Sequence, residues 1–101
     1  MKNNTLFTHG CSNEGNRFTI AVTIEKSISE ITATFGYSIC SKNDSFSKKI
    51  GRSIAEGRSI KNPVITLKEI NDVDGFKSIK TEMYNLCKRM EEGITNYKKS
   101  L

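Results

Sequence analysis

The chain has 101 residues, 36% of them hydrophobic and 27% charged. That balance suits a single folded domain, residues 1–101, with one modest core, and argues against a disordered tail. The net charge is +5, which argues against an acidic mimic of nucleic acid and for an anionic partner.

The excess charge is local. Residues 1–40 balance Lys2, Arg17 and Lys26 against Glu14, Glu25 and Glu30. Residues 41–62 set Lys42, Lys48, Lys49, Arg52, Arg58 and Lys61 against only Asp44 and Glu56. No segment reaches the roughly 18 apolar residues of a membrane span. The stretch "MKNNTLFTHG" holds no apolar core of signal-peptide length. Both point to a cytosolic protein with reduced thiols and no membrane partner.

In chain order, "TLFTH", residues 5–9, is a candidate strand. His9-Gly10-Cys11 follows and reads as a loop feature, since one histidine and one cysteine cannot complete a tetrahedral site. Residues 18–25, "FTIAVTIE", alternate with period two, and residues 30–40, "EITATFGYSIC", repeat the pattern. The short link "KSIS" predicts that they pair as an antiparallel hairpin over 18–40. Phe18, Phe35 and Tyr37 fall on its apolar face. The other face, rich in Thr, Ser, Gly and Ala, reads either as a solvated strand surface or as one that a backbone or ligand approaches closely.

The next segment, "NDSFSKKIGRSIAEGR", predicts a basic helix over 44–58, capped by Ser41 or Asn43 in a Ser41-x-x-Asp44 capping box. Phe46, Ile50 and Ile54 form an apolar stripe expected to tie it to the hairpin. Lys48, Arg52 and Glu56 make a second row, with Lys49 beside it. Gly57 reads as the helix terminator. Gly51, costing roughly 1 kcal/mol relative to alanine in a helix interior, serves either packing or ligand approach. "VITLKEI", residues 64–70, reads as a short strand, or its end as a helical turn. Asp72 or Asp74 then caps a long helix over 74–98. Phe76, Ile79, Met83, Leu86, Met90 and Tyr97 give it a heptad-like seam, expected to pack across the hairpin, with self-pairing as the rival. The expected fold is α+β: a hairpin or small antiparallel sheet, a short basic helix and a long C-terminal amphipathic helix, in an oligomer that supplies the burial a small core lacks.

Catalysis has little support in these residues. A nucleophile–base–orienter triad is improbable with one histidine, G-x-x-x-x-G-K-[ST] is absent, and no metal-ligand or C-x-x-C spacing occurs. No cofactor or metal is implied. Anion binding is better supported. Arg52 and Arg58, with Lys48 and Lys49, supply bidentate forks and point charges for phosphate oxygens. Strand aromatics on the buried face argue against base stacking on an open sheet, and no helix precedes the basic one as in a helix-turn-helix unit. A compact nucleotide is therefore favoured over a nucleic-acid groove. A small basic nucleic-acid-binding regulator and a protein inhibitor of an enzyme are the alternatives.

The block "GYSICSKNDSFSKKIGRSIAEGR" followed by Pro63 resembles a pattern of small phage proteins: a strand ending in Cys-Ser, then Asp-x-Phe-x-Lys-Lys-x-Gly-Arg-x-Ile-Ala-x-Gly-Arg. The resemblance, over residues 36–63, is to the first Thoeris anti-defence family of phage sponges. It implies a non-catalytic homo-oligomer that sequesters a cyclic ADP-ribose immune signal in recessed pockets between subunits, with cyclic oligonucleotides held by some members elsewhere. On that reading Arg52 and Arg58 take the diphosphate, and Phe46 or Phe76 forms a wall for the adenine. Asn43, Asn62 and the Thr/Ser strand face bond the sugars.

Overall fold

A computed structural model describes residues 4–40 and 47–99, with side chains through residue 92. Four strands form one antiparallel sheet in sequence order: β1 (Asn4–Cys11), β2 (Arg17–Lys26), β3 (Glu30–Ile39) and β4 (Ile65–Ile70). Helix α1 (Lys48–Lys61) lies between β3 and β4 in sequence, and α2 (Val73–Lys99) follows β4. The α+β class, the hairpin, the edge strand over 5–9, the strand over 64–70 and the long last helix agree with the sequence expectation. His9-Gly10-Cys11 does not, because it continues β1 rather than forming a loop.

The helices take opposite faces of the sheet. The apolar face of the hairpin carries Phe18, Ile20, Val22 and Ile24 from β2 and Ile31, Ala33, Phe35 and Tyr37 from β3. It forms one core with Ile79, Leu86 and Met90 of α2, and Phe76 and Met83 are partly buried against it. The seam thus packs across the sheet as expected. Asp72 caps α2 by accepting from the Gly75 amide at 2.7 Å. The seam position Tyr97 falls beyond the described side chains.

Helix α1 covers the small, hydroxyl-rich face, so that face is not solvated: Thr19, Thr23 and Ser38 are buried. The docking side of α1 is Gly51, Ala55 and Ser59, not the isoleucine stripe. Ala55 and Ser59 are fully buried, while Ile50 and Ile54 are 61% and 42% exposed; Phe46 lies outside the described residues. The physical reason is polar satisfaction at close range. Buried hydroxyls need partners, and branched side chains would hold the helix too far from the sheet to supply them. The Ser38 hydroxyl donates to the Gly51 carbonyl at 2.9 Å, and the Thr23 and Ser59 hydroxyls bond each other at 2.6 Å. A methyl at Gly36 would fall on the Ser59 backbone nitrogen, so β3 itself needs a glycine for this approach. Helix residues four apart rise about 6 Å and strand residues two apart about 6.8 Å, so successive turns of α1 meet successive rows of the sheet.

The limits of α1 also differ from expectation. Ser47, not Ser41 or Asn43, is the N-cap, its hydroxyl accepting from the Ile50 amide at 3.4 Å. Residues 41–46 lie outside the described residues. Gly57 does not end the helix. It points to open space, and the next turn follows, anchored by buried Ser59. The helix stops at Asn62, whose amide donates to the Arg58 carbonyl at 2.8 Å. Pro63 explains the stop, because it disfavours helical backbone in the residue before it.

Candidate functional site

The orientation of α1 decides where its cations go. Arg58 leans toward β3, donating from Nη1 to the Tyr37 carbonyl at 3.0 Å. It lines a recess of about 280 Å3 with Gly36, Tyr37, Asn62 and Val64. Burial raises the pKa of the Tyr37 phenol above its ordinary value, partly offset by the Arg58 charge. Arg52 leans the other way, toward edge strand β1, its guanidinium carbon 6.0 Å from the centre of the Phe7 ring. Lys48 lines a second recess, of about 320 Å3, with His9, Gly10, Cys11 and Arg17. Lys49 is exposed and lines neither recess. The expected cluster of Lys48, Lys49, Arg52 and Arg58 is therefore divided, with Lys48 and Arg52 on one flank and Arg58 with Asn62 on the other. Asn43 lies outside the described residues.

The β1 flank is an ordered groove. Lys48, Arg52 and Glu56 stand one helical turn apart. Opposite them, Cys11, His9, Phe7 and Thr5 alternate along β1 on the α1 side, as their pairing with Arg17, Thr19, Ala21 and Thr23 requires. Arg17 and Lys48 mark one end. His9 comes next, its Nδ1 2.9 Å from the Thr19 hydroxyl. Burial first, then the charges of Lys48 and Arg52, hold its pKa below the ordinary 6.5. Phe7 lies in the middle beneath Arg52. At the far end the Thr5 hydroxyl donates to Glu56 Oε2 at 2.9 Å. The groove thus grades from cationic, through an aromatic–guanidinium layer, to a carboxylate.

Two of the expected residues, Lys48 and Arg52, belong to this groove. Phe7, His9, Arg17 and Glu56 join them without having been expected at the site. The signal for three of these was the alternation 5, 7, 9, 11 on β1 and the 48, 52, 56 row on α1. Arg17 joins only through the β1–β2 pairing. Among the described residues no cluster of three or more His, Cys, Asp or Glu side chains could hold a metal ion, and Cys11, Cys40 and Cys87 form no disulfide. No helix among the described residues is long and apolar enough to cross a membrane. No protein-family model, curated protein or solved structure matches the chain.

Proposed function

We propose that this protein is a binding protein that sequesters a phosphorylated nucleotide without turning it over, in the groove between α1 and β1. The observation that carries the reading is the convergence of Arg17, His9, Lys48 and Arg52, from three elements, on one groove. Arginine forks and a lysine ammonium suit phosphate oxygens, and a guanidinium stacked on an aromatic ring suits a base. The resemblance of residues 36–63 to the phage sponge family supplies the finer terms: a cyclic ADP-ribose signal, a homo-oligomer in the host cytosol, and anti-defence by trapping. Trapping at nanomolar concentration corresponds to about −12 kcal/mol, which several charge-assisted bonds in a partly desolvated groove can provide.

The test is titration calorimetry of the full chain with ADP and with cyclic ADP-ribose, alongside mass spectrometry of small molecules extracted from the purified protein. Arg52→Ala is expected to weaken binding at least tenfold with the circular dichroism spectrum unchanged. Arg58→Ala, on the opposite flank, is expected to leave the affinity within about threefold, because one Nη of Arg58 already serves the Tyr37 carbonyl. Unchanged affinity in a folded Lys48→Ala, Arg52→Ala double variant would overturn the assignment.

A further inference from the structure

Glu56 is out of place in a site for an anion. It belongs to the same helical row as Lys48 and Arg52, yet it brings a carboxylate to a groove whose other end is cationic. Its position is fixed, since Thr5 of the edge strand donates to Oε2 at 2.9 Å. A carboxylate has two oxygens and about four acceptor positions, and the Thr5 hydroxyl uses one of them. A carboxylate so placed repels phosphate and attracts a donor.

We infer that Glu56 accepts a hydrogen bond from the exocyclic amino group of an adenine, so that the groove holds an adenine nucleotide in one direction, phosphates toward Arg17 and base toward Thr5. This inference rests on the groove being the nucleotide site. The order of groups along it matches the order of groups along the ligand. Phosphates meet Arg17, His9 and Lys48. The base stacks against the Arg52 guanidinium, whose other face covers the Phe7 ring. The amino group then reaches Glu56. From His9 to Thr5 the strand advances about 13 Å, at roughly 3.3 Å per residue, which is about the length of an extended nucleoside diphosphate. A base with an oxo group in the same place would set two acceptors against each other at that position, so the groove discriminates against it.

The experiment compares pyrophosphate, ADP and inosine diphosphate as calorimetric probes of the full chain. The inosine compound has an oxo group in place of the amino group and a proton on the adjoining ring nitrogen N1. Wild-type protein is expected to bind ADP at least tenfold more tightly than inosine diphosphate. Glu56→Gln, which keeps an oxygen for Thr5 and adds a donor, is expected to bring that ratio close to one while pyrophosphate still binds. A purely structural role for Glu56 would not move the ratio. Equal affinity of the wild type for the two nucleotides, with pyrophosphate bound, would overturn the role of Glu56 and leave the groove assignment standing. Failure of all three probes to bind would overturn the groove assignment, and the role of Glu56 with it.

Discussion

His9 is the titratable side chain most directly tied to the groove, and its behaviour with pH follows from its neighbours. Thr19 faces it from β2, Lys48 and Arg52 from α1, and Arg17 stands in the next row of β2. Burial and the two α1 cations favour the neutral imidazole in the folded chain, so its folded pKa lies below the ordinary 6.5. The folded state then binds fewer protons than the unfolded state in the window between the two values. Stability from this group is complete above about pH 6.5 and is lost as pH falls through the folded pKa. Chemical denaturation from pH 8 to pH 5 is expected to show that loss, and His9→Gln to flatten it. A bound phosphate reverses the local field and favours the imidazolium, so the same substitution removes any gain in anion affinity on acidification. Gly51 belongs to this support. A methyl there would stand 2.6 Å from the Thr19 hydroxyl that bonds His9, which assigns the glycine to packing under α1.

At the scale of elements, α1 is held by its smallest residues. Ala55→Leu is expected to cost about 1–3 kcal/mol, because Ala55 is fully buried and larger side chains overpack such a contact. Ile54→Lys, 42% exposed on the opposite flank of the docking surface, is expected to change stability by no more than about 0.5 kcal/mol. Thermal or urea denaturation of the two variants checks the orientation of the helix, and the reverse ranking would restore the isoleucine stripe as the buried face. This orientation is also where sequence and structure part. The alternation in β2 and β3, and the 3-4-3-4 spacing in α2, are strong because large apolar residues report burial directly, and both elements lie where that spacing puts them. The face of α1 was not legible in the same way. Its burial is a property of a partner surface of Thr19, Thr23, Gly36 and Ser38, and Ile50, Ile54 and Ile60 on the outside outweigh one alanine and one serine in any hydrophobic count. The candidate site shared this fault. Rotating α1 onto Gly51, Ala55 and Ser59 sends Arg52 and Arg58 to opposite flanks, and His9 enters the site only once 9–11 are part of β1.

For the whole molecule the open contrast is between a groove that takes one small anion and a basic surface that takes a polyanion. Cations on both flanks of α1, with Arg58 on one side and Lys48 and Arg52 on the other, suit a strand of nucleic acid passing over the helix. The two modes differ in their response to salt. A polynucleotide carries a condensed counterion atmosphere, and each phosphate neutralised releases counterions, so contacts to 6–10 phosphates lose about 10³–10⁵ in affinity between 50 and 200 mM salt. A free nucleoside diphosphate has no such atmosphere. Its attraction to a partly enclosed groove weakens only through screening, with a Debye length still near 8 Å at 0.15 M. ADP affinity is therefore expected to fall by less than about tenfold over that range of salt. Fluorescence anisotropy with a labelled oligonucleotide, competed by ADP, measures both on one sample. Oligonucleotide binding that is tighter than ADP binding at 50 mM salt, collapses by a thousandfold at 200 mM, and is insensitive to competing ADP would place the function on the surface of α1 and not in the groove beside β1.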